Sequence, residues 1–319
     1  MRGAVPARTV GHMRVALLAL TAAFLPVALL GGDVEPAGSA FPGRDGLIAF
    51  DRLVGTHKGG LNDRIITVKP NGKRLNAITP RCCKSAEDPA WSADGDRIAF
   101  VRGRNIFSMN KKGKKLRRLT RGKRENGKRF EDTDPSWSPD GSQVVFSRLY
   151  GGNDDSDLFV VDADGSNLHR IESLDFEYDP AWSPDGERIA FVRDTLDQPS
   201  GIYRVRPDGT DLELVLELTD LRDGLDWSPD GERLAFSTRE SGGGPPQIHT
   251  VRPDGTGVNR VTSERGAAYD PAFSPRGDRI VFSFRGEELK LVDSDGGDVK
   301  RLLKRTRGRG EFAPHWQPR

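Results

Sequence analysis

The stretch DPAWSPDGERIAF at residues 179–191 decides the fold, because it recurs along the chain. Its aromatic residue returns every 45 or 46 residues, at Trp91, Trp137, Trp182, Trp227 and Phe273. A repeat of this length is typical of one propeller blade, a four-stranded antiparallel sheet that buries its faces against its neighbours. The sequence therefore predicts an all-β protein assembled from repeated blades.

Each part of the repeat has a physical role. In Ser-Pro-Asp-Gly, the serine accepts hydrogen bonds, the proline presets φ and the glycine tolerates positive φ, so the segment predicts a tight hairpin turn. Apolar residues then alternate, as in Ile189 and Phe191, which indicates a strand with one apolar face. We name the Asp-Pro-Ala-Trp strand A and the next three B, C and D. Strand D is predicted at 74–79, 116–120 and 258–262, with an unexplained three-residue apolar spacing.

The two ends of the chain complete one blade. Residues 46–50 match strand B, and C and D follow at 64–69 and 74–79, but no strand A precedes them. The missing strand is found at 312–316, which ends in Trp316. We therefore expect a six-bladed β-propeller over 41–319, closed by the C-terminal strand A joining the N-terminal strands B, C and D, since such pairing removes a free sheet edge.

The pattern at 179–191 resembles the repeat of the TolB propeller domain and the WD40-like propeller repeats of exported bacterial proteins. The resemblance covers 41–319 and implies a six-bladed propeller in the cell envelope that works by contacting proteins. TolB-type proteins also carry an α/β domain before the propeller, whereas here a leader runs directly into the first blade. The resemblance to TolB-type proteins is therefore limited to their propeller domain.

The first 40 residues have the organisation of a secretory signal. Arginines precede an apolar run at 15–30, and small residues follow at 37–40, so cleavage is expected near Ala40. The alternative is a retained anchor, although sixteen apolar residues fall short of the ~20 that span a bilayer. We expect a secreted or periplasmic monomer that contacts a membrane only through an uncleaved leader.

A partial ring of carboxylates opens the predicted A strands. These channel-mouth residues are Asp88, Asp134, Asp179 and Asp270. The corresponding position of a further repeat is occupied by Gly224. Either they accept hydrogen bonds from backbone amides beside the adjacent prolines, or they hold a cation. The variable loops of the same face, including 121–133, are expected to carry ligand binding. The Asp-x-Asp-Gly segments at 162–165 and 293–296 are read as hairpin turns and not as calcium loops.

Basic residues predict a docking surface. Between 101 and 130 there are 13 Lys or Arg and one acid, while 151–232 holds 22 acids and 6 basic residues. The predicted patch consists of Lys111, Lys112, Lys114, Lys115, Arg121, Lys123, Arg124, Lys128, Arg129, Arg305, Arg307 and Arg309. It is either a solvated surface or a site for an anionic partner, such as a protein or envelope polymer. Nucleic acid is not expected, because no recognition module is present.

The two cysteines, Cys82 and Cys83, are adjacent. They are interpreted as exposed loop thiols or an adventitious intermolecular bridge, or else as a vicinal disulfide that stiffens a binding loop, because export favours oxidation.

The sequence offers no signature of catalysis. It contains neither a Gly-x-Ser-x-Gly elbow nor a His-Glu-x-x-His motif, and after the leader only His57, His169, His249 and His315 remain. His57 and His315 are assigned to one blade, which leaves a two-histidine site open. We expect a non-catalytic scaffold for a protein or ligand, without cofactor or metal. The alternative is a hydrolase or lyase acting on a polysaccharide or peptide.

Overall fold

A computed structural model describes residues 42–55, 61–79, 85–122, 124–125, 128–151, 156–171, 176–195, 199–218, 220–240, 243–303 and 310–318. The leader at 1–40 and both cysteines lie outside these residues. Within them, no helix is long and apolar enough to cross a membrane.

The strands form repeated antiparallel groups. The first contains β1 Asp45–Gly55, β2 Leu61–Val68 and β3 Asn76–Ala77, together with the last strand, β25 Glu311–Pro318. The second contains β4 Glu87–Trp91, β5 Arg97–Val101, β6 Ile106–Asn110 and β7 Arg117–Arg118. The third contains β8 Arg124–Glu125, β9 Lys128–Trp137, β10 Gln143–Tyr150, β11 Ser156–Asp162 and β12 His169–Arg170.

The remaining groups follow the same order. The fourth contains β13 Phe176–Trp182, β14 Ile189–Asp194, β15 Gly201–Val205 and β16 Glu213–Glu217. The fifth contains β17 Leu221–Trp227, β18 Leu234–Thr238, β19 Gln247–Val251 and β20 Asn259–Arg260. The sixth contains β21 Ala268–Phe273, β22 Arg279–Phe284, β23 Glu288–Asp293 and β24 Lys300–Arg301. The third and fourth groups touch through one parallel pair, Ser156 with Phe176. The predicted all-β propeller fold is confirmed.

The Ser-Pro-Asp-Gly segments form the tight A–B turns that the sequence predicts. In the third group the Gly141 amide donates to the Ser138 carbonyl at 2.9 Å, and Gly141 has a φ of 67°. The Ser138 hydroxyl donates to Asp140 and accepts the Gln143 amide at 2.9 Å. The Asp-x-Asp-Gly segments are turns as well, since the Gly165 amide donates to the Asp162 carbonyl at 2.7 Å.

The apolar faces of the B strands make the core between neighbouring groups. The phenylalanines of these strands are at most 1 % exposed: Phe50, Phe100, Phe146, Phe191, Phe236 and Phe282. One apolar cluster joins Trp137 of β9 to Val101 and Leu119 of the preceding group. Because each cluster draws on two groups, no group buries its faces alone.

The D strands are shorter than predicted, and their apolar spacing has a structural cause. Only Arg117 and Arg118 pair in β7, after which the Leu119 and Thr120 amides both donate to the Ile106 carbonyl, at 2.9 and 3.3 Å. This bulge turns Leu119 into the core, while Leu116 remains 49 % exposed. The bulge is thus the reason for the three-residue spacing.

The segment at 121–133, predicted as a long loop, instead contains β8 and the first half of β9. Phe130 pairs with Tyr150, and Asp132 pairs with Arg148 on the long neighbour β10. Arg148 donates to Asp132 at 2.7 Å and lies 4.0 Å from the Phe130 ring centre, with both charged side chains buried. The polar composition of 121–133 does not indicate a strand, because Arg148, which neutralises Asp132, lies 16 residues away in the sequence.

The first and last strands lie side by side. β25 pairs antiparallel with β1, placing Trp316 opposite Ile48 and Phe312 opposite Asp51. Trp316 packs in one apolar cluster with Phe50 and with Val281 of the sixth group.

Candidate functional site

The A strands β4, β9, β13, β17, β21 and β25 line one cavity of about 630 Å³, which we call the central cavity. The four sequence-predicted aspartates, Asp88, Asp134, Asp179 and Asp270, all contribute to its wall. The structure therefore brings together residues whose successive separations in the chain are 46, 45 and 91 positions.

These aspartates lie at β-bulges inside the A strands and not at the strand starts, where the sequence places them. Each has a left-handed backbone, with φ of 49° or 50°. The strand pairing shifts at each of them, as between Tyr178 and Ala181. Aspartate tolerates this conformation better than most side chains, and a bulge re-aims the residue that it contains.

Three of the four carboxylates, those of Asp88, Asp179 and Asp270, reach the backbone of the neighbouring group. The Gly224 amide donates to Asp179 Oδ2 at 2.8 Å, and the Ala313 amide donates to Asp270 Oδ2 at 3.3 Å. Asp88 likewise accepts the amide of Asp134. The hydrogen-bonded amides thus lie on the next A strand, whereas the sequence suggested amides beside each aspartate's own proline. We call this set of contacts the carboxylate belt.

Two positions of the belt lack a carboxylate, namely Gly224 and Ala313. At Ala313 a neighbour compensates: Asp51, on the adjacent strand β1, accepts the amide of Asp88. Sequence reasoning missed Asp51. The available signal was an acid at a strand B position where the other groups have valine or serine.

A second tier of polar residues lies two positions after the belt. The Phe273 amide donates to Asp226 Oδ2 at 2.7 Å, the Trp182 amide to Ser136 Oγ at 3.2 Å, and the Trp91 amide to His315 Nδ1 at 3.3 Å. His315 Nδ1 also lies 3.1 Å from the Trp316 carbonyl oxygen. All three acceptors line the central cavity.

Burial controls the charge of these groups. It raises the pKa of Asp226 to about 7, against which only the backbone amides of Phe273 and Trp227 act. It also lowers the pKa of His315 to about 4, so this histidine is neutral at neutral pH. Burial, followed by the negative charge of neighbouring acids, holds the pKa values of Asp51 and Asp88 well above their usual range.

Apolar side chains also line the cavity, and we call them the collar. Its members are Leu149, Phe176, Tyr178, Leu221 and Phe312. The Phe176 and Tyr178 rings are 5.3 Å apart, and Phe312 is 40 % exposed.

Among the described residues, no group of three or more His, Cys, Asp or Glu side chains has an arrangement that could hold a metal ion. His169 is exposed on β12, and His249 stacks on Phe236 in β18–β19, so neither lines the central cavity. His57 lies outside the described residues.

The sequence-predicted basic patch is divided by the fold. Lys111, Lys112, Lys114 and Lys115 are exposed in the turn after β6, whereas Arg121 follows β7 and Arg129 lies in β9 of the third group. Lys111 pairs with Asp96 at 2.6 Å. Arg124 and Lys128 are in β8 and β9, while Lys123, Arg305, Arg307 and Arg309 lie outside the described residues.

Two family models match the sequence. Residues 175–319 match the TolB beta propeller domain, and residues 61–156 match the N-terminal region of dipeptidyl peptidase IV. No curated protein matches the chain.

Solved structures share the fold. TolB from Acinetobacter baumannii superposes with a TM-score of 0.70 and 21 % identity, over 88 % of this chain and 69 % of that one. A putative TolB from Agrobacterium tumefaciens gives 0.63 and 20 %, over 86 % and 100 %. An oligogalacturonate lyase from Vibrio parahaemolyticus gives 0.56 and 14 %, over 81 % and 79 %. At these identities the likeness is one of fold.

Proposed function

Since this chain is a TolB-like β-propeller protein, we propose that it is a non-catalytic scaffold of the cell envelope that binds a protein or an anionic polymer. We further propose a propeller of six blades, sealed where its last strand joins its first. Function on a propeller resides in the site and not in the fold, so the proposal is argued from the central cavity and the surface.

The single observation that supports the binding role is that three cavity acids are hydrogen-bonded to backbone amides. Asp179, Asp270 and Asp88 each accept a backbone amide from the neighbouring group, as the belt requires. A general acid or base must be within hydrogen-bond reach of a substrate proton. Carboxylates fixed between A strands instead stiffen a wall, and a rigid wall suits recognition.

Ring closure is supported by the β25–β1 pairing and by the cluster that joins Trp316 to Phe50 and Val281. We expect a chain truncated after Gly310 to lose cooperative thermal unfolding, because the first group would lose its innermost strand. A truncated chain that melts like the intact protein would disprove the closure.

Electrostatic docking is proposed for the lysine turn, which consists of Lys111, Lys112, Lys114 and Lys115. These side chains are exposed, and an exposed cluster of one sign attracts an anionic partner with a strength that falls as salt screens it. Replacing Lys112, Lys114 and Lys115 with serine should weaken capture at low salt and leave capture at high salt unchanged.

An extracytoplasmic location and a monomeric state are proposed with the leader at 1–40. N-terminal sequencing of the mature protein after cell fractionation tests cleavage near Ala40. An intact leader in the membrane fraction would indicate the retained anchor instead.

The test of binding compares capture of envelope proteins by three forms of the tagged protein. We expect the wild type and Leu116→Ala to retain the same partner and Phe312→Ala to lose it. Both changes remove an exposed apolar side chain, but only Phe312 lines the central cavity. Equal capture by all three forms would place the binding surface elsewhere.

The alternative is a lyase or hydrolase, favoured only by the fold shared with an oligogalacturonate lyase. Incubation with oligogalacturonides and with peptides decides between the two. Product formation that is lost in Asp226→Asn would replace the scaffold proposal with an enzyme.

A further inference from the structure

Among the described residues, the central cavity contains an acid that no basic side chain offsets. Asp226 lines the cavity, and the interactions that favour its charged form come from the backbone amides of Phe273 and Trp227. His315 lines the same cavity in its neutral form. A carboxylate held in such surroundings gains most from a cation supplied by a ligand.

A further acid, Asp51, does not line the cavity but accepts the amide of Asp88, which does. Asp51 is only 4 % exposed, and its Oδ1 has no hydrogen-bond partner among the described residues. The charges that face Asp51 are those of Asp88, Asp63 and Asp270. Asp88 in turn faces Asp134, Glu87 and Asp270. This unsatisfied oxygen lies within a group of like charges, where an added positive charge would be stabilised.

The collar supplies a second kind of surface to the same cavity. Phe312 is 40 % exposed, and Phe176 and Tyr178 stand beside each other on β13. Aromatic faces attract ammonium groups and also cover apolar carbon. Acid and aromatic surfaces thus meet in one space of about 630 Å³, which is within the usual size of small-ligand sites.

We propose that the central cavity binds a primary ammonium group carried on an apolar or aromatic body, with the ammonium against the carboxylates and the body against the collar. The inference rests on the proposed binding function and names its ligand chemistry. A lysine side chain of a protein partner and a free arylalkylamine share this chemistry.

Binding of a cation must release protons. Near neutral pH a fraction of Asp226 is protonated, because burial raises its pKa to about 7, and a bound ammonium group would favour the ionised form. Neutral or anionic ligands of the same shape would not release protons.

The experiment is calorimetric titration of the purified full-length protein with benzylammonium and with N-acetyl-phenylalanyl-lysine amide. Phosphate and MOPS buffers at about pH 7 give the number of protons released from the difference in measured heat. We expect both probes, or the peptide alone, to bind with proton release. Benzyl alcohol and phenylacetate should not bind at the same concentrations. Binding of the peptide alone would assign the ammonium group to a protein partner.

Two variants and one control locate the site. Asp226→Asn should weaken binding by up to about five-fold and reduce proton release, since this is the upper contribution of one ion pair in a wet site. Phe312→Ala should weaken binding without changing proton release. Asp208→Asn, an exposed acid on an outer turn, should change neither.

The inference fails if neither amine binds, if benzyl alcohol binds equally well, or if Asp226→Asn leaves both affinity and proton release unchanged. Should Phe312→Ala still abolish partner capture in that case, the scaffold proposal stands and only the ligand chemistry is wrong. Should oligogalacturonide cleavage appear, the scaffold proposal falls independently of amine binding.

Discussion

Strands β13 and β17 are neighbours in the wall of the central cavity, yet they have their acid at different positions. β13 has Asp179 at its bulge and Ala181 two residues later, whereas β17 has Gly224 and Asp226. Asp179 accepts the Gly224 amide, and Asp226 accepts the Phe273 amide. The acid of β13 thus belongs to the carboxylate belt, and the acid of β17 belongs to the second tier.

The second-tier position gives β17 an acid whose ionisation is set by desolvation. Both acids accept an amide of the next A strand, but desolvation raises the pKa of Asp226 to about 7, and no basic side chain among the described residues lowers it. The bulge at Gly224 is filled instead by close approach of the next strand, since a Cβ there would lie 2.5 Å from the Asp270 Cα. A shift of the acid by two positions therefore places a carboxyl group with a raised pKa in the wall of the central cavity.

The largest effect is expected from Gly224→Ala, which tests whether the missing carboxylate is a steric necessity. Positive φ and the clash with the Asp270 backbone should together cost about 3 kcal/mol in the free energy of unfolding. Gly243→Ala is the matched control, because Gly243 has φ of 76° but nothing within 4 Å of a Cβ. It should cost about 1 kcal/mol. Denaturant unfolding that gave equal losses would show that contact with Asp270 is unimportant.

Asp179→Ala tests the belt acid of β13. It leaves the Gly224 amide without its acceptor, which should cost about 2 kcal/mol in the free energy of unfolding. Asp179→Asn retains an acceptor oxygen and should lose less than about half of that. A loss of equal size in both variants, measured by urea unfolding, would indicate that charge matters more than the hydrogen bond.

Asp226→Asn tests the second-tier acid of β17 and should stabilise the protein at alkaline pH. The raised pKa means that the wild type loses stability as pH rises from the usual Asp value of 3.8 through about 7. The variant avoids this loss and should melt about 2 °C higher than the wild type at about pH 8, with no gain at about pH 3. A gain that is independent of pH, or a loss in base, would contradict the assignment.

His315→Gln extends the comparison to β25, where a histidine occupies the position equivalent to Asp226. Because the pKa of His315 is lowered from 6.5 to about 4, wild-type stability is complete above pH 6.5 and falls as pH drops toward 4. Glutamine can still accept the Trp91 amide, so the variant should melt about 1 °C higher than the wild type at about pH 5 and equally at about pH 8. Melting curves that stay parallel across this range would rule out the histidine as the acid-sensitive group.

Much of the propeller could be predicted from the repeat, because turns and alternating strands follow from local chemistry. Strand A at 312–316 and strand B at 46–50 were expected to form one sheet, and Trp316 indeed pairs with Ile48. The extension of β9 back to Lys128 could not be predicted. Its acid, Asp132, is neutralised by Arg148 on β10, a contact that no local pattern of polar residues indicates.

The cavity acids were predicted as a ring, but their chemistry was not. Sequence spacing placed Asp88, Asp134, Asp179 and Asp270 together, while Asp51 and Asp226 were overlooked because they stand outside the repeated position. Ser136 and His315 were missed as amide acceptors for the same reason.

By itself the sequence determined the repeat, the hairpin turns and the apolar faces, since these depend on the conformational preferences of neighbouring residues. Only the tertiary structure decided which amides the belt carboxylates accept and which acids, among the described residues, face no basic side chain. Hydrogen bonding and desolvation depend on what lies across a sheet interface, and the residues that meet there are far apart along the chain.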